Sequence, residues 1–257
     1  MPAIISFSKY FAENAEYLAS QTGMPVAFAL KPNEVYHVFS AHDAATQLLE
    51  FQKKYGTSYI IYHSENIESV FFKNRDYIKL MRKNKVLHYS PMIAAICTSW
   101  HKVECAGFFA FDYTPMSLRA PTALAASPRQ SSSEAIDIKA RRPTDILFFG
   151  AMSQPRYDIL RELQNARPDL RITVTTDAFG ADLDKLLLEA KYVINISFYE
   201  RNALETHRIN KAMAAGCKVI SNESADEQMN SKYRGLIEFC DRTLCGFICA
   251  VNKAFPR

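Results

Sequence analysis

AKYVINISFYERNALETHRINKAMAAGCKVIS, running from Ala190 to Ser221, is the stretch whose reading decides the fold. Tyr192-Val193-Ile194-Asn195-Ile196 is a short apolar run between polar residues, the pattern of a strand buried on both faces. Ser197 to Asn202 is polar and aromatic and reads as a loop. Ala203 to Ala215 sets Leu204, Ile209, Ala212 and Met213 near one helical face, and Ala215-Gly216 reads as the stop. Cys217 to Ser221 is the next strand. Glu205, His207 and Arg208 fall in the first turn and a half of the expected helix. In a doubly wound sheet that is the mouth of the site, at the carboxyl ends of the strands.

An acid and an arginine three residues apart at a helix start admit two readings. They can form an i,i+3 ion pair on a solvated face. Alternatively, the carboxylate of Glu205 accepts both hydroxyls of a ribose, while Arg208 and the free helix amides hold a diphosphate.

Outward from this segment, strands and helices alternate. The second half reads Ile146–Phe149 strand, Pro155–Ala166 helix, Arg171–Thr175 strand and Leu183–Ala190 helix before the quoted stretch. Asp182 and Asp184 read as acids that cap and complement the start of the Leu183–Ala190 helix rather than as a metal pair. In the first half, residues 1–23 suggest an amphipathic helix ending at Gly23. Ala27–Leu30 and Glu34–Phe39 suggest strands, His42–Tyr55 a helix and Tyr59–His63 a buried strand. A Lys73–Asn84 helix and a Val86–Tyr89 strand follow. Pro121 to Arg142 is turn-rich and of low hydrophobicity, and reads as a linker. The predicted organisation is an N-terminal lobe over 1–118, a linker or mobile loop over 119–143 and a C-terminal lobe over 144–257. Such alternation points to α/β lobes with parallel sheets.

These motifs together resemble the donor-binding half of GT-B glycosyltransferases, in the bacterial and viral group with an LExxRI donor-site helix. Asp145 to Gly150, then Pro155-Arg156 and Tyr157 to Leu163, is similar to that family's first strand, glycine loop and arginine. Tyr59 to Asn66, Val86 to Ser90 and Phe111 to Pro115 resemble parts of its acceptor-side domain. The resemblance spans about residues 58–115 and 145–224. It implies a compact α/β chain of two Rossmann-like lobes facing a cleft. It also implies metal-independent transfer of a sugar from a nucleotide-sugar donor to a glycan or lipid-linked acceptor; the lack of a signal-peptide pattern and of a membrane-spanning run sets the expected location in the cytoplasm.

The implied donor-binding residues are Gly150, Arg156, Tyr199, Glu205, Arg208, Ser221 and Glu223. Tyr199 would stack on the base, Glu205 would bind ribose, and Gly150, Arg156 and Arg208 would meet the diphosphate. The catalytic base is expected from Glu65 or Asp112, after the strands of the first lobe. His63, His88 and His207 fit either a core or a site. No metal and no cofactor beyond the donor substrate are expected. The chain departs from the paired glutamates of many retaining members: Lys211 stands at the second position and Ala203 at the first. Ser197 stands where the family often has a histidine.

Composition fits a soluble globular protein: 257 residues, 48% hydrophobic and 23% charged. The net charge of +4 is uneven, with 16 Lys/Arg against 12 Asp/Glu in residues 1–143 and 15 of each in 144–257. Lys73, Arg75, Lys79, Arg82, Lys83 and Lys85 concentrate it, against Asp76. That run is either a solvated helix face or a peripheral contact with an anionic membrane surface or phosphate-bearing acceptor. It lacks interleaved aromatics, which argues against nucleic acid. The six cysteines, at 97, 105, 217, 240, 245 and 249, show no zinc-knuckle spacing and suit a reducing compartment. Cys217, Cys240, Cys245 and Cys249 are expected to pack in the core. No apolar run approaches a membrane span, and no signal-peptide pattern opens the chain. Absence of Gly-x-Gly-x-x-Gly and of a P-loop argues against dinucleotide and P-loop enzymes. A non-catalytic nucleotide-binding or regulatory module with the same fold, and a structural subunit of a transferase complex, stay open.

Overall fold

The structure, a computed structural model, describes residues 2–66, 68–110, 113 and 142–257. The expected linker over 119–143 lies almost wholly outside these residues, and so does Asp112. The described residues form two units. The first holds Met1–Asp112 with Tyr199–Leu204 and Ser224–Lys232; the second holds Tyr113–Phe198, Glu205–Glu223 and Tyr233–Arg257.

The first unit alternates strand and helix: β1 (Ala3–Ser6), α1 (Ala12–Thr22), β2 (Val35–Phe39), α2 (Ala45–Tyr55), β3 (Ser58–His63), α3 (Arg75–Arg82), β4 (Lys85–His88), α4 (Pro91–His101) and β5 (Cys105–Phe108). The strands pair in parallel in chain order, β1-β2-β3-β4-β5. The register sets Ile5 beside Val38, Val38 beside Ile61 and Ile61 beside Val86, four buried aliphatic side chains in one row. Local chemistry sets the helix ends. Gly23 and Gly56 close α1 and α2 with φ of 71° and 67°, and their amides bond back to Ala19 O and Gln52 O. Asn74 caps α3 through Oδ1, which accepts from the Asp76 and Tyr77 amides. α3 buries Tyr77, Ile78, Leu80 and Met81 and leaves its basic side chains exposed.

The second unit comprises β6 (Thr144–Phe149), α5 (Gln154–Ala166), β7 (Ile172–Thr175), α6 (Gly180–Glu189), β8 (Ala190–Asn195), α7 (Thr206–Ala214), β9 (Lys218–Asn222), β10 (Glu238–Cys240) and α9 (Leu244–Ala254). α8 (Glu227–Tyr233) precedes β10 in the chain, and its residues up to Lys232 belong to the first unit. The sheet is parallel, in the order β10-β9-β8-β6-β7. Its core joins Ile146 and Phe148 of β6, Ile194 of β8 and Ile220 of β9 to Leu163 of α5 and Phe247 and Val251 of α9. Truncating a ring such as that of Phe247 would cost about 3–5 kcal/mol.

Several expectations need correction. The N-terminus forms β1 before its helix, because Ala3-Ile4-Ile5 finds a buried place beside β2. Ala27–Leu30 is not a strand: only Val26 makes an isolated bridge, to Ile4. The His42–Tyr55 helix begins as a 3₁₀ turn and turns α-helical at Ala45. The Ala203–Ala215 helix starts only at Thr206, so Glu205 is its N-terminal cap residue. Cys245 and Cys249 are exposed, because α9 turns Phe247, Ala250 and Val251 inward instead, while Cys240 of β10 is half-buried and packs against the core. Cys217 is buried as expected, with its thiol 3.1 Å from Leu187 O.

Candidate functional site

In the second unit the chain runs from β6 to β7 on one side, then returns to β8 on the other. That reversal makes the β6/β8 boundary the switch point, where open α/β sheets bind ligands beyond the strand ends. Gly150 and the start of α5 follow β6. Asn195 ends β8, and Ser197, Glu205 and Arg208 follow it.

Gly150 has φ of 126°, a conformation that excludes a side chain at little cost only for glycine. Space forbids one too: a Cβ there would collide with Nη2 of Arg208. The Nη2 end of the Arg208 guanidinium therefore occupies the place that a side chain at Gly150 would take. Its Nη1 donates to Asn195 Oδ1 at 2.8 Å and to Glu205 Oε2 at 2.6 Å. Its Cζ stands 5.6 Å from the ring centres of both Phe148 and Phe149. Asn195 in turn donates to Ser221 Oγ at 2.9 Å, and Ser221 donates to Asn222 O.

Arg156 sits on the other side of Glu205. It is 1% exposed and its donors are engaged: Nε with Ile196 O, Nη1 with Ala151 O, and Nη2 with both oxygens of Glu205 at 2.9 and 3.0 Å. Burial, with the neighbouring Arg208, brings Arg156 down to about 10, against the pull of Glu205, and it stays charged at neutral pH. Burial pushes the Glu205 carboxyl up. Arg208 and Arg156 outweigh it and hold the group below the usual carboxylate range. His207 is kept neutral: burial, then Arg208, brings it to about 4.

Two buried hydroxyls at the same strand ends lack partners among the described residues, Ser153 Oγ before α5 and Ser197 Oγ after β8. Ser153 occupies the N-cap of α5 without capping it by its side chain, and Pro155 follows in the first turn. An uncapped helix start beside a guanidinium is a site for an anion. Arg242, before α9, reaches Ser197 O at 3.3 Å and adds a further cation.

Each expected donor-site residue thus has a place. Gly150, Arg156, Glu205 and Arg208 converge. Arg156 is a buried strut, however, and not a cation held out to ligand. Glu205 is occupied by two arginines. Ser221 is fully buried and supports Asn195, so its hydroxyl is not offered at the mouth. Glu223 is exposed and pairs with Arg234 at 3.3 Å. Tyr199 is half-buried and falls in the short segment that belongs to the first unit. Lys211, 5% exposed, pairs with Asp184 at 3.0 Å and lies over the Tyr113 ring at 5.5 Å. Asp184 is therefore an ion-pair partner and not a cap. Sequence reasoning missed Asn195 and Arg242. The signal for Asn195 was a lone amide inside an apolar strand; Arg242 had none.

The first unit holds a second polar cluster, at the carboxyl ends of β2 and β3. Glu65 Oε1 lies 3.4 Å from His42 Nε2, and Glu65 Oε2 accepts from Ser69 Oγ at 2.9 Å. Burial lifts the Glu65 carboxyl above its ordinary value, against lowering by His42 and Ser69. His42 is buried and packs on Phe71, ring centres 4.1 Å apart. Ser40, between β2 and His42, adopts φ of 55°, a strained value for a non-glycine residue. The buried Ser40 Oγ, Ser64 Oγ and Asn66 Oδ1 lack partners among the described residues. His42 and Ser40 were not singled out from the sequence. His63 is fully buried and does not emerge here.

No protein-family model matches this chain, and no curated protein sequence does. Solved structures do match. HepE from Anabaena, solved with UDP-glucose, aligns with a TM-score of 0.60 at 10% identity, over 100% of this chain and 90% of that one. WaaG, a glycosyltransferase involved in lipopolysaccharide biosynthesis, aligns at 0.59 and 9%, over 100% and 91%. The α,α-trehalose 6-phosphate synthase from Burkholderia multivorans aligns at 0.58 and 8%, over 96% and 67%. At such identities the likeness concerns the fold. The chain has the α/β architecture of two parallel five-stranded sheets found in GT-B glycosyltransferases. No helix among the described residues is long and apolar enough to cross a membrane.

Proposed function

We propose that this protein is a glycosyltransferase that takes a sugar from a nucleotide-sugar donor, with the donor held by the second unit. The observation that carries this reading is Arg208, laid against Gly150 at the switch point beside the uncapped start of α5. HepE was solved with UDP-glucose, so UDP is the nucleotide to test first.

Negative charge grows on the diphosphate as the bond to the sugar breaks. Arg208 and the α5 amides oppose that charge without needing a metal. Glu205 and Arg156 are positioning residues: a carboxylate held from both sides fixes the Arg208 fork. The ribose role expected of Glu205 passes more naturally to Glu223, whose carboxylate is exposed. Tyr199 keeps the proposed stacking role, and Ser221 supports the site from below. Glu65 is assigned as the base that takes the acceptor hydroxyl's proton, with His42 beside it. Its raised pKa suits a base better than an ordinary surface carboxylate. Asp112 stays the second candidate. The exposed basic side chains from Lys73 to Lys85, on and beside α3, are assigned to a glycan or lipid-linked acceptor carrying phosphate, or to an anionic membrane surface.

Lys211 favours a second reading, a nucleotide-binding module without transferase activity. It places an ammonium where the resembled family often has a carboxylate, and Asp184 holds it there. Calorimetry with UDP and UDP-glucose, followed by assay of UDP release with and without acceptor sugars, separates the readings. Binding with sugar release supports the transferase, binding without release supports the module, and no nucleotide binding rejects both.

A further inference from the structure

Three side chains of the first unit meet away from the Glu65 cluster. His63 ends β3, His88 ends β4 beside it in register, and Cys97 lies within α4. All three are 0% exposed. One ligand atom from each lies within 4.8 Å of the others. Cys97 Sγ is 3.9 Å from His63 Nε2, and the two imidazole rings are 5.1 Å apart, edge to face.

Core packing alone accounts poorly for this group. Both ring nitrogens of His88 are buried with no hydrogen-bond partner among the described residues. Leaving such a group unsatisfied carries its full desolvation cost, and an aliphatic residue would fill the space without that cost. His63 is oriented in the way a metal-binding histidine usually is: Nδ1 lies 2.6 Å from Tyr77 Oη, which leaves Nε2 turned toward the thiol.

We propose that His63, His88 and Cys97 form a binding site for a soft transition-metal ion, Cu(I) or Zn(II). Two imidazoles and a thiol, with no carboxylate among them, exclude the oxygen-seeking ions Mg²⁺ and Ca²⁺. Burial keeps both histidines neutral, His88 falling to about 4, and a neutral imidazole is the ligating form. Burial also raises the Cys97 thiol to about 12. Uptake of the ion therefore forms the metal–sulfur bond and expels one thiol proton to solvent. One thiolate with Cu(I) makes an uncharged group, whereas with Zn(II) it leaves one positive charge. In a fully buried place the uncharged complex costs less, so Cu(I) is the favoured occupant. The ion would tie β3, β4 and α4 together, a structural role separate from any donor chemistry of the second unit.

The test uses the full chain, reduced and stripped with chelator. It is loaded with Zn(II), or with Cu(I) kept reduced by ascorbate, and the metal retained after gel filtration is measured. Co(II) serves as a spectroscopic probe for a thiolate ligand. One equivalent of ion should stay bound, with one proton released. Cys97→Ser and His88→Gln should each lose that equivalent, and Tyr77→Phe should weaken it by about 10–100-fold. A triple Cys105→Ser, Cys245→Ser and Cys249→Ser variant, changed only at exposed thiols, should retain it. Circular dichroism of each variant checks folding, and Tyr77→Phe keeps the test valid where a ligand variant misfolds. The proposal is overturned if folded wild type retains neither ion, if Cys97→Ser binds as wild type does, or if the triple variant loses the ion.

Discussion

Arg156 and Glu205 are joined by two hydrogen bonds, of 2.9 and 3.0 Å, between residues 49 apart in the chain. The first follows β6 and the second follows β8, so the pair spans the switch point of the sheet. Oε2 of Glu205, one of the two oxygens that accept from Arg156, also accepts from Arg208 Nη1 at 2.6 Å. One carboxylate thereby fixes two guanidiniums, and the second of them lies over Gly150. A site of this kind is set before any ligand arrives, which lowers the ordering cost of binding.

Arg208→Ala should weaken UDP far more than uridine. Losing a charge-assisted contact to phosphate costs about 1.5–3 kcal/mol. Calorimetric titration with both ligands checks it, and equal affinity of variant and wild type for UDP would place the donor site elsewhere.

Glu205→Gln should destabilise the fold as well as the site. Removing one partner of a buried ion pair costs about 3–5 kcal/mol, and here two arginines lose their counter-charge together. Urea unfolding should show a lower midpoint with little change in slope. A variant as stable as wild type would contradict the strut role.

Gly150→Ala should both strain the backbone and push Arg208 off its seat. The φ of 126° costs an alanine about 1–3 kcal/mol. UDP affinity should fall by a factor similar to that of Arg208→Ala. A double variant should lose little more, since both changes disturb one contact.

Stability should fall in mild acid through His207. Unfolded, the imidazole takes its proton near pH 6.5; folded, it does so only near 4. Between those values the unfolded state binds the extra proton, so stability decreases as pH drops through that window, by at most about 3 kcal/mol. Urea midpoints from pH 7 to 4 should show a steeper decline for wild type than for His207→Asn. Parallel curves would mean that His207 titrates normally.

UDP binding should not depend on a divalent ion. Arg208 and the α5 start provide the positive field. The UDP dissociation constant should be unchanged between buffers with and without Mg²⁺ or Mn²⁺, and a rise in affinity of tenfold or more with either ion would reverse the claim.

Much of the fold is legible in local pattern. Apolar runs such as Tyr192–Ile196 and glycine stops such as Gly23 and Gly56 act over one to four residues, the range over which periodicity and capping work. The nearness of Gly150, Glu205 and Arg208 to strand ends follows from the same alternation. Helix α4 escaped notice because Pro91-Met92-Ile93-Ala94-Ala95-Ile96 is apolar on nearly every face and shows no stripe.

The sequence by itself determined the strand–helix alternation from β2 to β4 and from β6 to β9, and which residues stand at the strand ends of the second unit. Tertiary structure alone decided what those residues do. Arg156 became a strut, Ser221 a buried support and Asn195 the link to Arg208, while His63 and Cys97, 34 positions apart, came into contact. The reason is physical. A buried polar group is satisfied by whichever partner the packing brings within hydrogen-bond reach. That partner is set by sheet order and register, which local spacing does not contain.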